Sequence, residues 1–404
     1  MNYLGDNMMD VKRKNRCAAL RVLHEQGAMS RKHLAETIKL TPAAITKIVA
    51  ELIEDGLVSE GKAVSAGGVG RREVLIEPNY AGRCALGVLI NLRMACISAI
   101  RLDGTVIFSE SMELEERASA EQTVCNLSKR ILELVAENED KTGTVIGLGV
   151  AIRGITSENE RSIHNSFRAL DAKDYPIADR FERYTGYHTV LANNVRALFL
   201  AHNFLSRAPV VPTRCFIRCE YGIGASLSVN GTILHGSTGH CSEIGHIPFV
   251  EHGGKQCLCG KTGCLETVAS PMAIIEDAEA VLSRDNTPIL FRRFSEKGSI
   301  TLDDIFYASS SGDTVIFSIV DRAVSAFASA LKSVIYIVDP QEIILYGRMF
   351  ENEYYLSLLI AKMHDGVDSE HSVRIFKSEY NLLLENKAAG LLAVDDFILN
   401  GGLI

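Results

Sequence analysis

The chain has 404 residues, 47% of them hydrophobic and 23% charged, a composition that fits a globular protein of two or three domains with sizeable cores. It holds no run of 18 apolar residues, and its N-terminus places Asp6 and Asp10 ahead of a basic cluster with no apolar stretch behind it, so neither a membrane span nor a signal peptide is expected. The net charge of −8 is unevenly spread: residues 11–75 carry twelve Lys and Arg against seven Asp and Glu, so only this basic head on an acidic body is expected to meet a polyanion.

Residues 15–76 read as three short helices and a hairpin. The first helix runs from about Asn15 to Glu25, with Cys17, Leu20 and Leu23 as core positions, and Gly27 ends it. Ser30 caps a second helix that buries Leu34 and Ile38. Thr41 caps a third, with Pro42 at its first position, where a missing N–H costs little. Ile45, Ile48, Val49, Leu52 and Ile53 line one face of that helix, and Gly56 stops it. The opposite face offers Thr41, Ala43, Ala44, Thr46 and Lys47, small or hydrogen-bonding residues suited to a major groove. Strands at 57–62 and 71–77 flank a glycine-rich tip followed by Arg71 and Arg72, which are poised for the minor groove or the phosphates. Residues 1–78 are thus expected to form a winged helix-turn-helix. Its candidate DNA contacts are Ser30, Arg31, Thr41, Ala43, Ala44, Thr46, Lys47, Arg71 and Arg72. A three-helix protein-interaction domain would share the helices but has no need of the basic wing.

Further along, two segments resemble each other. Cys84–Ile90 is an apolar strand, followed by a turn at 91–93, a second strand to Ile100 and an Asp103-Gly104 hairpin signal. Cys215–Cys219, the turn Tyr221-Gly222-Ile223-Gly224, a strand to Val229 and Asn230-Gly231 repeat that order. An internal duplication predicts two similar α/β lobes. Helices are expected at 121–137 and 321–335, and buried strands at 146–152 and 342–346.

In mid-chain, beyond the second repeat, lies Cys257-Leu258-Cys259-Gly260-Lys261-Thr262-Gly263-Cys264, with His246 eleven residues upstream. Three cysteines and a histidine make a full tetrahedral zinc set with no open position, so one structural zinc per chain is expected rather than a catalytic one. Buried, reduced cysteines without metal are the plainer alternative. Ten scattered cysteines together with this cluster point to a reducing cytoplasm.

At these residues the chain resembles transcriptional regulators of the ROK family, in which a winged helix precedes a sugar-kinase-like body. The motifs that carry the resemblance are Glu243-Ile244-Gly245-His246, Cys257-x-Cys259-Gly260-x-x-Gly263-Cys264-x-Glu266, Gly147-x-Gly149, Asn165, Asn193-Asn194, Gly222-x-Gly224 and Asp339-Pro340. The resemblance implies an α/β, two-lobed body of actin-like, ribonuclease H-like fold. One lobe would cover 79–194, completed by about 385–404, and the other 195–384. It implies hexose contacts at Asn165, Asn194, Glu243, His246 and Glu266, and zinc on His246, Cys257, Cys259 and Cys264. Carboxylates and carboxamides suit vicinal hydroxyls, and His246 would serve metal and ligand through its two ring nitrogens.

The chain departs from the family's kinases at several positions. Their general-base aspartate is here Asn194, and an amide cannot take a proton from a sugar hydroxyl. Their Asp-x-Gly-x-Thr phosphate turn is here Leu89-Ile90-Asn91-Leu92-Arg93, with Leu89, Asn91 and Arg93 at the three key positions. The expectation is therefore a non-enzymatic, cytoplasmic repressor of carbohydrate metabolism. It would bind palindromic double-stranded DNA as a homodimer, or a tetramer built from it, and answer to a sugar or sugar phosphate. A ROK sugar kinase with an accessory head is the alternative, and a scaffold that binds a partner protein is a third reading.

Overall fold

A computed structural model describes residues 7–64, 73–116, 118–157, 159, 161–166, 169–170, 172–206, 211–364 and 373–403. The chain forms two compact units, residues 1–208 with 382–404, and residues 209–381.

The head opens with α1 (Met8–Gln26), longer than expected at its N-terminal end, where the Asn7 side chain accepts from the Asp10 N–H. Then follow β1 (Met29–Ser30), α2 (Arg31–Ile38), α3 (Pro42–Glu54), β2 (Val58–Val64) and β3 (Glu73–Pro78). The three strands make one antiparallel sheet in the order β1-β3-β2. The caps are as read from the sequence: the Ser30 hydroxyl accepts from His33 N–H, the Thr41 hydroxyl accepts from Ala44 N–H, and Pro42 opens α3. Ile45, Ile48, Val49 and Leu52 are buried on one face of α3, while Ile53 and Ile38 are only half-buried. In α1 the expectation of a Cys17 core position fails. The buried residues are Arg16, Ala19, Leu23 and His24, because the helix faces the body as well as its own sheet.

The first lobe continues with β4 (Arg83–Ile90), β5 (Met94–Ile100), β6 (Val106–Glu113), α4 (Ala120–Glu137), the short α5 (Glu139–Thr142) and β7 (Thr144–Ile152). After these come β8 (Ile155–Ser157), β9 (Ser162–Asn165), α6 (Ile177–Thr185), β10 (Thr189–Asn193) and α7 (Asn194–Ser206). Its sheet runs β10-β7-β4-β5-β6. Val124, Leu127, Ile131 and Leu134 of α4 pack on one side of that sheet, as their spacing predicts. The helix α7 packs within this unit rather than opening the second lobe, so the first unit extends past the expected end at 194.

The second unit begins with β11 (Thr213–Cys219), β12 (Ile223–Val229) and β13 (Thr232–Ile233). It continues with α8 (Glu266–Ala269), α9 (Pro271–Ala280), α10 (Pro288–Lys297), α11 (Leu302–Ser311), α12 (Thr314–Val338), β14 (Glu342–Tyr346), α13 (Glu353–His364) and β15 (Arg374–Lys377). Its sheet order is β13-β12-β11-β14-β15. In both units the first strand sits centrally, pairs antiparallel with the second on one side, and pairs parallel with a crossover strand on the other. That shared topology is what the repeated segments predict. By length and composition α12 is long and apolar enough to cross a membrane, although polar and charged residues interrupt its apolar runs. Its apolar face, including Ile316, Val320, Val324, Phe327 and Leu331, is buried in the core of the second unit.

The chain then returns to the first unit as α14 (Leu382–Leu399). This helix meets the sheet at backbone distance. A Cβ on Gly149 would lie 1.7 Å from the Ala389 carbonyl oxygen, and one on Gly87 would lie 2.4 Å from Gly390 N. The buried Ser98 hydroxyl of β5 donates to Asn386 O at 2.8 Å. Gly149→Ala forces a methyl into a carbonyl that cannot rotate away. We expect it to lower the unfolding free energy by about 3 kcal/mol, the upper end of overpacking costs, as read by circular dichroism in urea. A loss below about 1 kcal/mol would show that α14 is not seated at this distance.

Candidate functional site

The exposed side of α3 carries small residues near its start and one lysine after them. Thr41, Ala43, Thr46 and Lys47 are exposed and Ala44 is half-buried, opposite the apolar face that anchors the helix. The Thr46 hydroxyl donates to Pro42 O at 2.8 Å. Ser30, counted among the DNA contacts by sequence, is buried and its hydroxyl is occupied as the α2 cap. Arg31 is half-buried and ion-pairs with Glu60 at 2.7 Å. Arg71 and Arg72 lie outside the described residues.

In the second unit the expected metal ligands converge. His246 ends a single 3-10 turn, Ile244–His246, and the ligand atoms of His246, Cys257, Cys259 and Cys264 all lie within 4.8 Å of one another. The Cys259 and Cys264 sulfurs are 3.6 Å apart, and His246 Nδ1 is 3.5 Å from the Cys257 sulfur. With Zn–S of about 2.3 Å and Zn–N of about 2.0 Å, tetrahedral zinc has edges of about 3.5–3.8 Å, which these two separations match. The loop is shaped by its own backbone: Cys257 N–H donates to Lys261 O at 2.8 Å, and Gly260 N–H to Cys257 O at 3.0 Å. Pro248 bridges to Cys264 and Gln256 to Thr262, so both cysteine-bearing ends are clamped. Without metal, burial is the main cause that pushes the Cys257 and Cys264 thiols up, Cys264 to about 12 with help from the neighbouring sulfurs. A divalent cation reverses that balance by stabilising thiolates.

The expected hydroxyl-binding residues fall into two sets, one in each unit. In the first unit, Asn165 is exposed at the end of β9, where it pairs with Ile155, and Asn194 is buried at the start of α7. Asn193 between them is a residue the sequence reading left without a role. Its amide donates to Gly154 O at 2.6 Å and its carbonyl accepts from Val195 N–H at 2.8 Å, which ties the β8 entry to the α7 start. In the second unit, Glu243, His246 and Glu266 are half-buried. Glu266 Oε2 accepts from the Ile223 N–H at 2.9 Å, so this carboxylate is fixed on the Gly222-Ile223-Gly224 turn. Glu220, also unforeseen, has a side chain 8% exposed beside the same turn. Its carboxylate accepts from Arg348 N–H at 2.9 Å and ion-pairs with the Arg348 guanidinium at 3.2 Å. Leu89 is buried, and Arg93 is exposed and faces Glu116 at 3.8 Å.

The ROK family profile matches residues 98–389 and the MarR family profile matches residues 14–60. The DNA-binding transcriptional dual regulator NagC of Escherichia coli is 27% identical over 347 residues, 86% of this chain and 83% of NagC. The DNA-binding transcriptional repressor Mlc of the same organism is 24% identical over 398 residues, 98% of this chain and 96% of Mlc. A solved ROK family transcriptional regulator, a homologue of E. coli Mlc, superposes with a TM-score of 0.79 at 22% identity, covering 97% of this chain and 98% of that one. A ROK family glucokinase from Streptomyces griseus superposes with a TM-score of 0.61 at 19% identity over 76% of this chain and 98% of the kinase. With the family profile spanning well over half of its length and a MarR-type winged head ahead of it, the chain belongs to the ROK family.

Proposed function

We propose that the protein is a sequence-specific DNA-binding repressor of carbohydrate metabolism whose body senses a sugar or sugar phosphate. The observation that carries this reading is α3, a capped helix whose apolar face is anchored and whose small, exposed face can enter a major groove. Thr41, Ala43, Ala44 and Thr46 would meet base edges, and Lys47, Arg71 and Arg72 the backbone or minor groove. The similarity to the two regulators, over 86% and 98% of this chain, supports it. Two heads in a homodimer, or in a tetramer built from it, would match the halves of a palindromic operator. Every cysteine among the described residues is unbridged, which suits a reducing cytoplasm.

The body residues favour sensing over catalysis. Asn194 has no basic site for a hydroxyl proton, and Leu89 offers phosphate nothing. Asn165, Asn194, Glu243, His246 and Glu266 are our assignments for hydroxyl contacts. His246, Cys257, Cys259 and Cys264 fit one zinc, which would hold the loop closed and orient the His246 ring through Nδ1. Ligand binding would act on DNA affinity only through unequal affinity for the DNA-competent and incompetent states.

Purified protein is expected to carry about one zinc per chain, and Cys259→Ser to lose it. A metal-free wild type that is fully folded and binds sugar would refute the site.

Coupled assays with ATP and a hexose panel should show only background turnover. A rate near 1 s⁻¹, the low end for ordinary enzymes, would favour the kinase reading. A sugar at about 100 times its Kd should stabilise the fold by about 2.7 kcal/mol in a thermal-shift screen. If no sugar or sugar phosphate shifts the transition, the sensor assignment fails.

On DNA, Arg71→Ala with Arg72→Ala should weaken operator and random duplexes alike and reduce the salt slope by about two if both touch phosphates. Thr46→Val should change sequence preference with the slope unaltered. Unchanged affinity in the double-alanine protein would show that the wing does not touch DNA.

A further inference from the structure

Arg16 is a charged residue in a place where charge is rarely found. Its side chain is 2% exposed, and each part of the guanidinium has a partner. Nε donates to the backbone carbonyl of Gly401 at 2.7 Å, Nη2 to Asp55 Oδ2 at 2.5 Å and Nη1 to Glu51 Oε2 at 3.4 Å. Glu51 lies in the last turn of α3 and Asp55 is its C-cap, whereas Gly401 follows the end of α14. One buried fork therefore joins the DNA-facing helix to the tail of the body's last helix.

The tail is shaped for that contact. Gly401 and Gly402 have φ of +71° and +75°, and their N–H groups fold back to Ile398 O and Phe397 O at 2.9 Å each. A Cβ on Gly401 would lie 3.0 Å from Arg16 Cβ, and one on Gly402 only 2.2 Å from Leu57 Cδ1. Side chains there would push the tail off the head. Around the fork, Arg83 at the start of β4 donates to Gly56 O at 3.1 Å and also to Asp55 O. Arg21 pairs with Asp395 of α14 at 3.2 Å. His24 stacks on Phe204 of α7, with ring centroids 3.8 Å apart. The head is thus bracketed by β4, α7 and α14 rather than tethered by a linker.

We infer that Arg16, together with the turn Asn400–Gly402, is a positioning latch that fixes the orientation of α3 on the first lobe, so the tail of the chain is a working part of the DNA-reading surface. The inference rests on the reading of α3 as the DNA helix. It goes beyond that reading by assigning a role to residues that no DNA contact would reveal. The helix α14 starts where the chain crosses back from the second unit, at 381/382, and ends at the latch. Arginine suits the role because one planar fork bridges three acceptors at fixed angles, which lysine cannot do.

The test uses the full chain with spin labels at the exposed positions Glu36 on α2 and Leu132 on α4. The labels are carried on an unnatural ketone side chain so that the ten cysteines stay untouched. Pulsed dipolar distances are measured without DNA, and operator affinity is measured separately. Variants are Arg16→Met, Arg16→Lys, removal of residues 400–404, and Arg16→Met combined with that removal. Far-ultraviolet circular dichroism and zinc content establish folding. We expect a narrow distance distribution in the wild type, and broadening in Arg16→Met and in the truncated chain with helix content unchanged. The combined variant should be no broader than either alone, because both lesions open one latch. Operator affinity should fall about tenfold in each single variant, and Arg16→Lys should recover part of it. Distributions as narrow as wild type in both single variants would overturn the latch, and so would broadening that adds in the combined variant. If the truncated chain fails to fold, Arg16→Met against Arg16→Lys still decides. If the wild type binds no DNA, the function proposed above fails while the distances still test the latch.

Discussion

Backbone contact between α14 and the first sheet leaves no volume for side chains at Gly87 or Gly149, and several other features of the first unit follow from that closeness. Because the helix axis is drawn in, Ser98 of β5 reaches Asn386 O, and the helix end arrives low enough to meet α1. The head is then held from below by the same helix that completes the core. A looser helix–sheet distance would move Gly401 away from Arg16, so packing in the lobe and orientation of α3 are one geometric problem.

The cysteine loop solves a different problem. Between β13 and α8 the chain passes through some thirty residues with one short 3-10 turn and no named strand, too long a segment to hold itself by apolar burial alone. Four converging ligand atoms and two isolated bridges give it a fixed shape. Glu266 begins α8 immediately after that loop and reaches back to the Ile223 N–H, so the metal-ligand loop, the first turn of α8 and the glycine turn of the second sheet are linked through bonded neighbours. If Glu266 contacts a ligand as proposed, such fixation helps, because ordering the carboxylate beforehand removes an entropy cost from binding.

Much of this was legible from the chain alone wherever the governing forces are local. The Ser30 and Thr41 caps, Pro42, the apolar stripe of α3 and the cysteine spacing all act over fewer than ten residues, and the structure places them as read. The two lobes were legible because strand, turn, strand and hairpin recur in order. Arg16 was not, since its partners lie 35, 39 and 385 residues away and its own helix position looks like an ordinary exposed basic residue. Cys17 was preferred as a core residue on apolar character, but the face of α1 that is buried is set by the body. The contacts of Asn193 and Glu220 are not legible either: Asn193 bonds backbone groups, which leave no trace in side-chain patterns, and the Glu220 partner Arg348 lies 128 residues away.

The discontinuity of the first unit has a consequence for how the protein is made. On the ribosome the head and the strands β4 to β10 emerge first, but the helix that covers their sheet is separated from them by residues 209–381. At a synthesis rate of roughly 5–20 residues per second, that face waits on the order of ten to thirty seconds for its cover. During the wait, a sheet surface with glycines at its centre and apolar strands on either side is open to water, and Arg16 has only its partners on α3. The nascent head therefore exists for a time as a folded module with an unset orientation. On the inferred latch, the orientation of the head is set only once α14 has been made, and the interval before it is one in which a chaperone that covers flat apolar surfaces would find its substrate.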